Sequence, residues 1–392
     1  MERFDVIIVG AGPAGSTCAR DLVQAGWRTL VLDKAHFPRD KLCAGWITPE
    51  VMTLAGVDRV EYCSEGRNLA PIQSFVVWDG KEKEHKISYD RTVSYGIVRT
   101  EFDEFLADRC GAELRYGIKG TDFQRRAGQW VVNGQFEAPV LVGAGGHFCP
   151  VARTIGILFR PEPAIGCMEI EVPLSDKDLH HYVRYPDVPE IIFCNDLNGY
   201  GWYFNKGNVL NVGLGRYGGK GVRPHLEKLL RQLHKKRKLP AGDTFAMKHF
   251  KGHAYKLHKV NPRQRAGPGF LLVGDAAGVA YNVSGEGIYP AILSGKLAST
   301  TLIQAQGDYD ERLLKTYEHR LDAALGRPLT PQQLRIRSRT PTAAVRALAG
   351  TVFQSDFLVR KLIVEYLFLR AREKGGHGNH FCLNQEAQES NG

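Results

Sequence analysis

Residues 4–34, FDVIIVGAGPAGSTCARDLVQAGWRTLVLDK, constrain this chain more than any other stretch. They read as strand, turn, helix and strand. Val6–Val9 is an unbroken apolar run, as a parallel strand buried on both faces requires. Gly10, Gly12 and Gly15 follow in G-x-G-x-x-G spacing. A helix is expected over residues 14–25, ended by Gly26, then a second strand over 29–32 that stops at Asp33. Gly10 permits the tight turn, Gly12 lets backbone approach a pyrophosphate, and Gly15 lets helix and strand pack closely. The helix start presents its positive dipole end to the phosphates. Asp33 stands where a carboxylate accepts a ribose hydroxyl. The unit predicts a dinucleotide site and leaves NAD and FAD both open.

Two distant stretches carry matching features. Residues 270–273 form another apolar strand, ended by Gly274 and Asp275. A loop with Ser284, Gly285, Glu286 and Gly287 then leads into a helix expected over 288–299. Asp275 at a strand end suits a polyol, and Gly285 and Gly287 bring backbone N–H groups to a helix start. In YGIVRTEFDEFLADRC, Ile97 and Val98 end a strand and Thr100 reads as the cap of a helix starting at Glu101. Asp103 and Glu104 suit its first turn. Arg99, at the junction, is placed to reach a phosphate or ring edge; a surface ion pair is the alternative.

In this order and at these separations, VGAGPAGS, VRTEFDEFL and LLVGDAAG…SGEGIYPAILSG resemble the flavoprotein superfamily of the para-hydroxybenzoate hydroxylase fold. Within it, KLCAGWITPE and GYGWYFNKGNVLNVGLG resemble the geranylgeranyl reductase family. The likeness spans about residues 4–300. It implies FAD and an α/β fold: a Rossmann-like FAD-binding domain, a second, mainly antiparallel β-sheet substrate domain, and a C-terminal helical region. The implied boundaries are 1–73, 95–160 and 262–305 for the FAD domain, and 74–94 and 161–261 for the substrate domain. Residues 306–375 make the helical region, and 376–392 read as a disordered tail.

The resemblance also implies roles. Gly10, Gly12, Ala14, Gly15 and Ser16 would hold the pyrophosphate, with Asp33 and Lys34 at the adenosine ribose. Arg99 would sit near the phosphates or ribityl chain, Asp275 at the ribityl or pyrophosphate region, and Gly285, Gly287 and Ile288 against the flavin ring. One turn departs from the pattern. Gly145, in LVGAGGHFCPVAR, stands where the fold carries an aspartate. Gly143 to Gly146 make no second fingerprint, and no separate nicotinamide domain is legible. The reductant is therefore expected to be NAD(P)H bound transiently, or a protein electron donor.

From about residue 160 to 258 the pattern changes to alternation between turns, in AIGCMEIEVPL, EIIFCND, GYGWYFNKG and VLNVGLGRY. These predict an antiparallel sheet with one face packed and one face over a pocket. SFVVWDG and EHKISYD read as a hairpin joining it. Tyr200, Trp202 and Phe204 alternate and so share a face, and with Trp46 they suit a long apolar or aromatic substrate; core packing is the other reading. Where the reductase family has prolines around this strand, the chain has Leu197 and Asn205. A basic amphipathic helix follows, ending in Lys235, Lys236, Arg237 and Lys238, read as a solvated helix end or a contact for anionic lipid. The apolar stretch VRALAGTVFQSDFLVRKLIVEYLFLRAREK reads as a helical cap, with a lipid tunnel or a membrane-lying helix as alternatives.

A net charge of +10 fits a polyanionic cofactor or an anionic surface as well as plain solubility, and no nucleic-acid partner is expected. None of the eight cysteines pairs as C-x-x-C, which predicts reduced thiols and a cytoplasmic protein, with peripheral membrane contact open. The chain begins without a secretory pattern, and no stretch is apolar enough to span a bilayer. No metal is expected: His377, His380 and Cys382 lie in the tail and make a poor set. Oligomeric state is not legible.

The expected activity is reduction of C=C bonds in an isoprenoid or similar apolar molecule, with hydride from flavin N5. Cys43, in RDKLCAGWITPE, is the candidate acid or gate, its acidity depending on nearby Lys41. No partner at ligand spacing makes it a metal site; a small residue in a tight loop is the other reading. Flavin monooxygenation is the alternative activity, hydroxylation rather than halogenation, because Tyr-Gly-Trp-Tyr-Phe-Asn stands where halogenases carry W-x-W-x-I-P. A non-catalytic flavin-binding redox partner is the third reading.

Overall fold

The structure is a computed structural model that describes residues 1–79, 83–157, 164–258, 264–281, 284–328 and 349–369. Gly10 adopts φ +117°, and a β-carbon there would lie 2.4 Å from the Ala144 carbonyl oxygen, so only glycine serves the turn. The helix it opens runs Pro13–Gln24, with proline in the first turn where a missing N–H does no harm. Gly26 follows its end at φ +83°.

Among the described residues the Val6–Val9 strand is central in a six-stranded sheet. Its order is Ala266–Gly267, Phe270–Leu272, Val140–Gly143, Val6–Val9, Thr29–Asp33 and Glu113–Tyr116. All pairs are parallel except the first. The apolar runs are buried in one core with the Pro13–Gln24 helix, itself packed on the long Ile288–Ala305 helix, and with Trp130, Val132, Phe136 and Ala138 of a small four-stranded sheet. That second helix extends six residues beyond the expected end, since its apolar pattern continues until Gln306 turns left-handed at φ +47°.

A seven-stranded sheet forms the second layer. Its order is Lys251–Lys256, Ala164–Pro173, Val209–Tyr217, Gly199–Lys206, Glu190–Phe193, Ser74–Trp78 and Glu84–Ser88. It is antiparallel except where Glu190–Phe193 meets Ser74–Trp78. One face is sealed by the amphipathic helix Val222–Lys235, whose Leu226, Leu229, Leu230 and Leu233 pack on Val212 and Leu214. The other face carries a helical segment, Val359–Leu369. Its Val359, Ile363, Val364 and Phe368 are buried against Phe75, Val77, Ile191 and Phe204.

Three expectations change. The helix after the Ser94–Ile97 strand starts at Arg99 rather than Glu101, so Thr100 lies inside its first turn and caps nothing. Arg99 is drawn into that helix by a buried, two-pronged pair with Asp103, Nε and Nη2 each 2.8 Å from a carboxylate oxygen. It is not a surface pair. The basic run is also only partly solvated: Lys238 is buried with Glu190 at 2.5 Å, and Lys236 lies 4.5 Å above the Trp78 ring.

Residues 370–375 of the expected helical region, the 376–392 tail and its His377, His380 and Cys382 lie outside the described residues. No described helix is long and apolar enough to cross a membrane. The seven described cysteines are free thiols.

Candidate functional site

A cavity of about 800 Å³ opens between the two sheets, large for a small-molecule site. Gly10, Gly12 and Ala14 form one end of it, with Asp33 and Lys34 beside them. Gly15 and Ser16 stand behind this wall. A β-carbon on Gly15 would press to 1.9 Å from the Gly10 carbonyl oxygen, and the buried Ser16 hydroxyl donates to the Ala11 carbonyl at 2.8 Å. They hold the turn together. Asp33 does so as well: its carboxylate accepts the Ala11 N–H at 2.8 Å and the Ala35 N–H at 2.9 Å. Two helices, Pro13–Gln24 and Ile288–Ala305, begin at the cavity with glycine as cap residue and no capping side chain. Their first N–H groups are open to an anion or a carbonyl.

Gly145 and the glycines around it also line the cavity. A β-carbon at Gly145 would lie 3.0 Å from Pro150 and 3.1 Å from the Cys149 backbone. A side chain at this position would be tight, and the neighbouring loop would have to shift by a few tenths of an ångström to admit the aspartate of the resembled pattern.

Toward the middle, Arg99 and Asp275 reach the cavity from opposite elements, and Gly285, Gly287 and Ile288 border it. Arg99 shares Asp103 with Arg39, whose Nη2 lies 2.9 Å from the same carboxylate. Burial pushes Asp275 up, but His253, Lys41 and Arg99 hold its carboxyl below the ordinary range. Burial pulls the Lys41 ammonium down, with Asp275 opposing.

The far end is aromatic. Trp46, Tyr200, Trp202 and Phe204 all line it, joined by Phe368 from the C-terminal segment. Trp46 stacks between Phe75 and Phe368, at 4.9 and 5.2 Å between ring centres. Trp202 Nε1 donates to Asn211 at 2.5 Å, and the Tyr200 hydroxyl donates to the Ser284 carbonyl. The helical cap thus also walls the cavity.

Cys43 lies in the wall between these ends. The Gly45 N–H donates to its sulfur at 3.4 Å, and Asn211 donates to its carbonyl at 3.2 Å. The loop is fixed from behind by Lys206, fully buried and paired with Glu171, which also accepts from Asn211 at 3.0 Å. Gly45, at φ +67°, would place a β-carbon 2.2 Å from the Ile97 carbonyl oxygen.

Leu197 explains one missing proline. Its φ is +56° and its N–H donates to the Cys194 carbonyl at 2.8 Å, neither of which proline allows. Asn205, at the other site, is buried and bridges to the Asp187 N–H at 2.8 Å.

Sequence reasoning missed Glu169, His253 and Phe368. Glu169 is 1% exposed, lines the cavity, and its Oε1 has no hydrogen-bond partner. Burial pushes its carboxyl up to about 8; Lys206 opposes that and Glu171 adds to it. The signal was present in CMEIEV, where the polar alternate positions form the face expected over a pocket.

Residues 3–325 match the family model described as FAD binding domain. An uncharacterised protein of Methanosarcina barkeri is 31% identical, over 80% of this chain and 79% of that one. A digeranylgeranylglycerophospholipid reductase of Methanocaldococcus jannaschii is 26% identical, over 81% of this chain and 82% of that one. Among solved structures, a geranylgeranyl bacteriochlorophyll reductase-like protein of Thermoplasma acidophilum superposes with a TM-score of 0.68 at 21% identity. It covers 83% of this chain and 85% of that one. This last likeness is one of fold.

Proposed function

The chain belongs to the FAD-binding-domain family, and from that premise we propose an FAD-dependent reductase that saturates C=C bonds of an isoprenoid or other long apolar substrate. The single observation carrying the substrate class is the continuity of the cavity, from a glycine cradle at one end to an aromatic wall at the other.

The residues fit the cofactor. A β-carbon at Gly12 would fill the cradle, meeting only the Arg39 guanidinium at 3.2 Å, and the helix start beside it is uncapped. Gly10, Gly12 and Ala14 would hold the pyrophosphate, and Asp33 and Lys34 the adenosine end. Arg99 and Asp275 would face the phosphate and ribityl portion, and Gly285, Gly287 and Ile288 the ring edge. Reduced FAD supplies a hydride when bound.

The chain's own groups would do the rest. Trp46, Tyr200, Trp202, Phe204 and Phe368 exclude water and lay an extended apolar chain along one side of the site. Cys43 sits where cradle and aromatic wall meet, as a gate to the reacting end. NAD(P)H or a protein electron donor is the reductant in this reading. The Lys34 and Lys41 charges at the cavity suit either a nicotinamide phosphate or an acidic protein surface. A cytoplasmic protein touching a membrane surface also belongs to it. Phe357, Leu362 and Tyr366 are exposed on the C-terminal segment, near the charged Lys361.

Anaerobic reoxidation tests the proposal. The flavoprotein is reduced, mixed with a polyprenol without oxygen, and followed by flavin absorbance. Reoxidation with a saturated product is expected. Reoxidation by oxygen alone, with an oxygenated product, would instead establish a monooxygenase. A reduced flavin untouched by either would leave a redox partner.

A further inference from the structure

Glu169 is a buried carboxyl that neither the cofactor cradle nor the aromatic wall uses. It lies on the Ala164–Pro173 strand, two residues from Cys167 and from Glu171, so all three share a face. Its register partners are Gly213 and Lys251. Gly213 has no side chain because none would fit. A β-carbon there would lie 2.3 Å from the Trp202 ring and 2.6 Å from the Glu169 β-carbon. That gap brings the Glu169 side chain beside the Trp202 ring, at the aromatic end of the cavity. From the opposite wall the Cys43 backbone faces the Glu169 carboxyl and opposes the rise in its pKa. Oε1 is left without a partner in the cavity wall.

A carboxylate buried this way is unfavourable, and an unpartnered buried oxygen makes it more so. The charged and titratable groups around it do not neutralise it. On its own strand, Glu171 is already paired with Lys206, and Cys167 donates to the His253 carbonyl at 3.4 Å. From the loop, Lys41 is turned to His253 at 2.8 Å. On the neighbouring edge strand, Lys251 pairs with Asp40. The group is therefore held as a neutral acid in the cavity wall.

We propose that Glu169 is the proton donor of the reaction, delivering its carboxyl proton to one alkene carbon as hydride arrives at the other. The inference rests on the reductase reading above. The Glu169 O–H bond breaks and a C–H bond forms at one carbon. The second C–H bond takes its hydrogen and both electrons from reduced flavin. The alkene is reduced, the flavin is oxidised, and the Glu169 carboxylate regains a proton from water admitted as product leaves. This assigns the acid role to Glu169 and leaves Cys43 as the gate.

Two measurements test it. The first is infrared titration of the substrate-free protein, wild type against Glu169→Gln. A protonated-carboxyl band is expected up to about pH 8, absent in the variant. The second is anaerobic single turnover of pre-reduced protein with geranylgeraniol in D2O. Glu169→Gln should slow flavin reoxidation about 100-fold and abolish the loss of rate above about pH 8, with flavin binding kept. Glu169→Asp should restore part of the rate, which a merely structural role would not do. Wild-type rate and pH profile in Glu169→Gln overturn the proposal. So does loss of the alkaline limb in Cys43→Ser with the limb retained in Glu169→Gln, or absence of the infrared band. If geranylgeraniol fails to reoxidise even the wild type, the reductase reading falls and takes the donor role with it. The infrared band, which needs no substrate, separates that failure from an ionised Glu169.

Discussion

Lys41 Nζ lies 2.8 Å from Nε2 of His253, tying the loop around Cys43 to the edge strand of the second sheet. The same ring nitrogen is 3.8 Å from Asp275, so one carboxylate answers a lysine and a histidine at the cavity. Asp275 sits below its ordinary range, so it stabilises the fold above that range and ceases to do so as pH falls through its folded value. Asp275→Asn should cost about 2 kcal/mol at neutral pH and much less in strong acid. Urea unfolding of flavin-free protein at both pH values measures it. An equal loss at both would remove charge from the explanation.

Glu169 predicts the opposite slope. Its folded value of about 8 exceeds 4.5, so its contribution is complete below 4.5 and is lost as pH rises through about 8. Glu169→Gln cannot ionise. Its stability advantage over the wild type should grow with pH across that window, by roughly a few kcal/mol. Denaturation midpoints of the two flavin-free proteins across the window give the difference directly.

Arg99→Lys should be far from conservative. Lysine cannot supply the fork that grips both oxygens of Asp103. A loss of about 2 kcal/mol is expected in flavin-free protein. If Arg99 also meets the cofactor, the loss in Tm should be larger with flavin bound than without. Equal shifts in the two states would confine Arg99 to the ion pair.

Phe368→Ala removes a ring stacked on Trp46 and buried in the second sheet's cluster. The expected destabilisation is about 3 kcal/mol. KM should rise more for a long polyprenol than for a short one, because the wall is lost at the far end. Steady-state kinetics across a chain-length series checks this, and a uniform KM would show that Phe368 is packing only.

Leu197→Pro asks whether the family's proline fits here. It must abandon φ +56° and the N–H bond to Cys194. About 2 kcal/mol or more should be lost, read from the thermal midpoint. A neutral or stabilising result would mean that the turn remodels freely.

The dinucleotide half was legible because its signals are local. Buried parallel strands show as unbroken apolar runs, and Gly10 marks a turn that admits no side chain. The second sheet was legible by alternation. What alternation hides is the nature of the polar face, since Glu169 looks the same whether water or a cavity lies above it. The start of the helix after Ile97 was misplaced by two residues because Thr100 looked like a cap, whereas Arg99 already lies in the helix and pairs with Asp103 one turn on. Lys238 looked solvated because its partner Glu190 lies 48 positions away. Phe368 was beyond reach for the same reason: nothing in its own segment says which sheet it will meet.

Among the described residues the cavity lining runs along the chain from Val9 to Phe368. The groups assigned to the cofactor end at Ile288, so a chain made from its N-terminus completes the cofactor end before Phe368 can close the aromatic one. Cofactor capture during synthesis and substrate exclusion are thus separated in time. A chain clipped just short of Phe368 is expected to turn yellow but to leak its apolar chamber to water.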